Sequence, residues 1–246
     1  MSGFVALVLA LIGVAITAIA IIVTTVPVPS SWIWHAGLMF MAWGVLIPTG
    51  GVIARFSKVT PGQDWPHVLD NKVWWHAHLI CQYSAVAMIS LAAAMMVQEG
   101  GLHVGNMHAR LGIGAVFLSW IQVIGGWLRG SKGGPTEPDM RGDHYDMTLR
   151  RQVFEAVHKP LGWLSLAIAA GAIHTGLTVV GAPSVVHALN ALSFGIVAMA
   201  FVAFSRTTRR IKTYQAIWGP APSHPGNRDG AAPNDDATNR NAQQKV

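Results

Sequence analysis

One short pattern recurs around histidine. "HARLG" begins at His108 and "HKPLG" at His158, both His-x-x-Leu-Gly, while "HAGLM" begins at His35 and "HAHLI" at His76. Imidazole is a common metal ligand: one ring nitrogen takes the metal, and the hydrogen bond made by the other sets which one. Each of these histidines stands at the start of a long apolar stretch. The chemistry to look for is therefore metal ligation at the mouths of hydrophobic segments, and the segments must be placed before the ligands can be paired.

Of 246 residues, 52% are hydrophobic and 11% charged, against about 25% charged in an average soluble domain. No Asp, Glu, Lys or Arg lies within 32–54, 73–98, 111–128 or 160–205. About 20 apolar residues span a hydrocarbon core. Six runs of that kind fall near 4–25, 32–54, 74–97, 108–128, 155–180 and 184–205. All are expected to be helices, because a lone strand in lipid would leave its backbone groups unpaired. The fold class is an all-α membrane protein with six transmembrane helices, in which helices two to five form a four-helix core over about 32–180 within a domain of residues 1–218. The first run lacks a basic leader, and its apolar stretch is longer than that of a signal peptide. From 219 to 246 the chain is rich in Pro, Gly, Asn and Asp, and is expected to be a disordered cytoplasmic tail.

The net charge of +6 does not point to nucleic acid, because of where the charges lie. Loop 55–73 carries Arg55, Lys58 and Lys72, loop 129–154 carries Arg129, Lys132, Arg141, Arg150 and Arg151, and more follow the sixth run. The stretches 26–31, 98–107 and 181–183 carry no Lys or Arg. By the positive-inside rule both termini and the two longer loops are cytoplasmic, in a cell membrane such as a bacterial inner membrane. Cys81 is the one cysteine. Without a C-x-x-C-H motif no haem can be attached covalently.

With this topology, His35 and His108 open helices two and four at the outer face. His76, His78 and His158 open helices three and five at the inner face. Two histidines at matched depth on different helices are what bis-histidine haem ligation needs, and the parity gives two non-covalent b haems, one per leaflet. One turn on, His108 is followed by Gly112 and His158 by Gly162, where a missing side chain leaves room for a flat macrocycle. His76 and His78 point about 200° apart on a helix. Gln82 lies one turn beyond His78, and a glutamine inside a span favours an interior face, so His78 is the expected ligand and His76 the alternative. His174 is read as a hydrogen-bonding histidine of the bundle interior. His67, His103, His144 and His224 fall in loops or the tail, and His187 opens helix six. Basic partners for haem propionates are Arg110 outside and Lys72, Arg150, Arg151 or Lys159 inside.

The chain resembles the cytochrome b561 family, in the form of core found beside DOMON domains. The matching text is "HAGLMFMAWGVLIPTGGVIARF", "WWHAHLICQ", "HARLGIGAVFLSWIQVIGGWLRG" and "FEAVHKPLG". The spacing W-x-x-x-H-x-x-x-Q puts the family's ligand on His78. The resemblance implies a six-helix plan with two b haems, one between helices two and four and the other between three and five. It further implies transmembrane electron transfer, in many members from cytoplasmic ascorbate to ferric chelate or monodehydroascorbate outside. No DOMON sequence accompanies the core here, so an outer redox protein is expected to be a separate polypeptide.

Two stretches depart from the ascorbate-using members. Where these carry a basic, Tyr-containing segment after helix two, this chain reads "GGVIARFSK". Where they carry a Ser-Leu-His-Ser-Trp-like loop before helix four, it reads "GGLHVGNMH". The donor is therefore open among ascorbate, quinol and a soluble reductant. The polar loop "RGSKGGPTEPDMRGDHYDMTLRR" is a candidate surface for docking it. Membrane lipid is a partner throughout, and a second copy of the chain is a candidate one. The alternative class is a haem-bearing anchor that links a quinone pool to a larger redox complex. A metal transporter would instead place ligands and carboxylates at mid-membrane, where these spans hold no Asp or Glu.

Overall fold

The computed structural model describes residues 2–100, 104–207 and 211–228. Its long helices are α1 (Ser2–Thr25), α2 (Ser30–Met41) continued through a π-helical turn (Ala42–Leu46) into α3 (Ile47–Phe56), α4 (Val73–Gly100), α5 (Met107–Leu128), α7 (Leu149–Val179) and α8 (Ser184–Thr207). Short helices α6 (Asp143–Asp146), α9 (Thr213–Trp218) and α10 (Pro225–Arg228) complete the set, and no strand occurs among the described residues. Six helical segments are long and apolar enough to cross a membrane. The protein is an all-α, multi-pass membrane protein.

The second span contains Pro48, which has no N–H to offer the carbonyl four residues back and whose ring crowds it. The π turn relieves that crowding by widening the helix just before the proline. Pro48 cannot donate to the Gly44 carbonyl, and the buried Ser193 hydroxyl of α8 donates to it at 3.3 Å. The fifth span starts at Leu149, about six residues before the apolar run suggested. The Thr148 hydroxyl accepts the Arg151 N–H at 3.3 Å, an N-cap that begins the helix while its first turns are still polar.

Two apolar clusters hold the bundle. One joins Leu7, Leu11 and Ala15 of α1 to Phe40, Val45 and Val52 of the second span and to Val186 and Val197 of α8. The other joins Ala42 and Trp43 to Ala85 and Ile89 of α4, Ala115 of α5, and Leu166 and Ala169 of α7. The alanines matter because lipid gives no hydrophobic drive to helix association, so close backbone approach must supply the packing. This second cluster is an apolar layer across the four central helices.

One end of the bundle is closed by a polar cap. Asp70 lies at its centre: the Lys132 ammonium sits 2.6 Å from its carboxylate, the Thr136 hydroxyl donates to it, and its N–H donates to the Ala216 carbonyl of α9. Lys72 pairs with Glu137 at 2.8 Å. The neighbouring glycines have a backbone reason. Gly133 and Gly134 adopt φ of +58° and +122°, and a Cβ on Gly133 would lie 2.6 Å from the Met140 carbonyl. Residues 219–228, expected to bury nothing, pack onto this cap. Asn227 donates to the carbonyls of Gly219 and Ala221 at 2.9 Å each, and His224 stacks near Tyr145 and Trp218. The rest of the expected tail lies outside the described residues, as does His103.

His144 of α6 is fully buried in the cap, with Tyr214 against its ring and Glu155 3.5 Å from Nε2. Burial, with the Arg151 charge beside it, pushes its pKa down to about 3. A histidine that stays neutral when folded but takes a proton when unfolded costs stability as the medium acidifies. The loss starts near the unfolded value of 6.5 and grows until the folded value is reached, and amounts to about 2 kcal/mol by pH 5. Protection factors of the amides in 130–147, which are corrected for the intrinsic slowing of exchange in acid, should fall between pH 6.5 and pH 5 in the wild type. They should change little in His144→Phe, and an equal fall in both would exclude His144 as the cause.

Candidate cofactor sites at the two ends of the bundle

At the end opposite the cap, His35 of α2 and His108 of α5 face each other, with ring centroids 6.0 Å apart and planes at 88°. Each ring is held from behind. His35 Nδ1 lies 3.1 Å from the Ala92 carbonyl of α4, and His108 Nδ1 lies 2.8 Å from the Ala172 carbonyl of α7. A carbonyl only accepts, so Nδ1 carries the proton in both rings and Nε2 keeps its lone pair. Metal–imidazole bonds are roughly 2.0–2.1 Å long, so opposed imidazoles sharing one metal have centroids about 6 Å apart. His108 reaches Ala172 because residue 176 is glycine: a Cβ there would sit 2.8 Å from the ring's Nδ1 and Cε1.

At the capped end, His78 Nδ1 lies 3.0 Å from the Gly50 carbonyl of α3. A Cβ on Gly50 would meet Cys81 Cβ at 2.9 Å and the Gln82 amide at 2.4 Å, so glycine is what lets α4 approach α3 here. The Gln82 amide donates to the Ile47 carbonyl at 3.2 Å. His158 lies on α7, with its ring 4.8 Å from that of Phe154 and its Nδ1 buried without a hydrogen-bond partner among the described residues. Gln122 of α5 donates to the His158 carbonyl at 2.9 Å, and its amide lies 2.9 Å from where a Gly162 Cβ would be. His76 is exposed and His78 half-buried.

The other expected residues are placed as follows. Among the described residues, nothing lies within 4 Å of a Cβ placed on Gly112, so their packing does not explain the glycine. Arg110 is exposed and donates to the Val104 carbonyl at 2.9 Å. Arg150 is committed to Asp143 at 3.1 Å, Lys159 to Glu155 at 3.4 Å, and Arg151 to Glu155 at 3.1 Å. Lys58 is buried and donates to the Ile211 carbonyl at 3.1 Å; burial, with Arg55 nearby, pulls its pKa down to about 8. His174 is not an interior histidine: it is exposed, and its partner is His187.

Sequence reasoning missed Arg129 and Trp75. The Arg129 guanidinium lies 3.9 Å over the Trp75 ring, and that ring is 6.0 Å from His78. Trp75 and Arg129, with Lys72, His76, Ser131, Lys132 and Glu137, line a cavity of about 270 Å³ opening through the cap. The Trp-Trp pair just before His78 was the available signal.

Similarity to known proteins follows the same core. A cytochrome b561, DM13 and DOMON domain-containing protein of Arabidopsis thaliana is 27% identical over 148 residues, 60% of this chain and 14% of that protein. A cytochrome b561 and DOMON domain-containing protein of the same plant is 31% identical over 98 residues, 39% of this chain and 23% of that one. This chain is related to the cytochrome b561 family. A third relative, human ferric-chelate reductase 1, is 26% identical over 150 residues, 60% of this chain and 22% of its own length. The cytochrome b561-like region thus matches less than a quarter of each of these longer proteins. No family model and no solved structure matches the chain significantly.

Cytochrome b561 relatives imply b-type haem, and the residues here fit it. A b haem would be held here by imidazole. Each end of this bundle offers two imidazoles, and among the described residues no larger group of His, Cys, Asp or Glu gathers at either. Three of the four rings have Nδ1 fixed on a carbonyl, the usual backing of a metal-bound histidine. The fourth has a buried, unpartnered Nδ1.

Proposed function

We propose that this chain carries electrons across the membrane through two non-covalent b haems, one held by His35 and His108 and the other by His78 and His158. The observation that carries the reading is the pair of opposed imidazoles at 6.0 Å, each backed by a carbonyl that leaves Nε2 for a metal. Bound haem would supply one-electron redox chemistry at each end, which divides a hydrocarbon core of roughly 30 Å into shorter hops.

The protein's own part is to fix ligand direction and to keep water out. Backbone carbonyls on neighbouring helices do the first. The layer of Ala42, Trp43, Ala85, Ile89, Ala115 and Leu166 does the second. The basic end is taken as cytoplasmic, and the reductant is expected at the cavity beneath the cap. There the Arg129 guanidinium attracts an anionic reductant, and Trp75, which lines the cavity, stands 6.0 Å from His78. Lys58, buried and held by the Ile211 carbonyl, is not free to bind it, so a soluble anion is expected under the cap rather than at the end of α3. The acceptor is at the other end, and the name of the human relative favours a ferric species.

The test is the visible spectrum and haem-to-protein ratio of purified protein before and after dithionite, expected at two haems per chain, extractable by acid-acetone. Within that test, His78→Ala should lose one haem and His76→Ala none. A ratio of one in fully loaded protein, or loss of haem from His76→Ala with His78→Ala intact, would overturn the assignment.

A further inference from the structure

His174 and His187 lie outside both pairs. His174 is on α7, five residues before its end at Val179, and His187 is three residues into α8. At 1.5 Å per residue both sit within about 8 Å of the helix ends, on the same side of the bundle as His35 and His108. Their Nδ1 atoms are 3.3 Å apart and their ring centroids 4.8 Å apart, with planes at 73°. Two nitrogens bound to one ion at roughly 2.0–2.1 Å in tetrahedral geometry are about 3.3 Å apart. The observed separation is therefore already that of two adjacent ligands. The connection 180–183 between the helices is Val-Gly-Ala-Pro, so its side chains put no charge beside the pair.

We propose that His174 and His187 form a transition-metal site that serves as the exit for electrons, taking copper(II) in preference to other divalent ions. Ligation by imidazole suits copper and iron, and copper(II) heads the affinity order of the divalent series. Water would complete the coordination, because both histidines lie within about two turns of their helix ends, beside the connection 180–183. The site lies across one helix from the outer pair. His108 rests on Ala172 and Gly176, and His174, two residues from each, projects from the other side of α7, one helix diameter of about 10–12 Å away. The step is a one-electron transfer. The bound copper(II) becomes copper(I), the reduced haem held by His35 and His108 is oxidised, and no proton moves. This role rests on the haem reading above, but ion binding itself does not.

The experiment uses the full, haem-loaded chain in nanodiscs, prepared without a polyhistidine tag. Zinc, which is redox-inert, is titrated calorimetrically. One ion per chain is expected, with affinity at least tenfold weaker in His174→Ala and in His187→Ala. His67→Ala, whose ring pairs with Asp64 near the other end, should bind as wild type does. Haem spectrum and stoichiometry must match wild type in every variant, and His174→Gln and His187→Gln replace any alanine variant that fails this. Absence of zinc binding, or equal affinity in the variants, overturns the site. Pre-reduced protein is then mixed with one equivalent of copper(II). Haem reoxidation should slow at least tenfold in either histidine variant, while reoxidation by ferricyanide, which needs no ligand, stays unchanged. Zinc binding without that slowing overturns the exit role. Protein lacking haem would instead count against the reading of the two ligand pairs.

Discussion

Alanine at His35 or at His108 should lower haem content from two per chain to one, and both substitutions should remove the same haem. The two rings face each other at 6.0 Å from different helices, so neither alone can hold a six-coordinate iron. Combining the two substitutions should give the same spectrum as either one, because the site is already lost. His78→Ala and His158→Ala should remove the other haem, with a different redox midpoint. The check is pyridine haemochromogen stoichiometry together with a potentiometric titration of each variant. If His35→Ala and His108→Ala leave haems of different potential behind, the pairing is wrong even though the ligands are right.

Valine at Gly176 is expected to act almost as strongly, although it ligates nothing. Its Cβ would lie 2.8 Å from the ring of His108, a ring already fixed by the Ala172 carbonyl on one side and faced by His35 on the other. The ring must tilt and give up its hydrogen bond. Loss of such a backing partner typically costs 10–100-fold in metal affinity, so haem retention at that end should fall at least tenfold while the capped end keeps its spectrum. Gly112→Val is the complementary case. Among the described residues, nothing lies within 4 Å of a Cβ there, so the thermal midpoint of haem-free protein should be unchanged. Loss of haem from Gly112→Val then reports contact with the macrocycle. Unaltered haem binding would remove the reason given for that glycine.

Hydropathy made the six spans readable because in lipid the backbone has no alternative to a helix. Helix parity sorted His35 and His108 to one depth and His76, His78 and His158 to the other, and Gln82 favoured His78 over His76 as the expected ligand. The backing groups were not readable. They are main-chain carbonyls of Ala92, Gly50 and Ala172, which side-chain identity does not advertise, and the glycines that admit them are common in membrane helices for other reasons. The cap was missed for a different cause. Asp70, Lys132, His144 and Tyr214 meet from three separate stretches, and polar loops have no periodicity to reveal such meetings. His174 was misplaced because a polar residue within a span was assumed to turn inward. So near the helix end, a partner at the surface, His187, meets the same need.

The backing hydrogen bonds run crosswise. His35 leans on α4, the helix that carries His78; His78 leans on α3, which continues the helix of His35; and His108 leans on α7, which carries His158. Filling either end therefore steadies a helix on which the other end depends, and such coupling acts equally in both directions. Under the two-haem reading proposed above, loading at limiting haem is then expected to be cooperative, while a variant that keeps one site still fills it when haem is in excess. A cell short of haem would make a mixture weighted towards fully charged and wholly apo chains, with few carrying one cofactor. A one-haem chain could accept an electron without passing it on, so the architecture itself disfavours the form most prone to strand charge in the membrane.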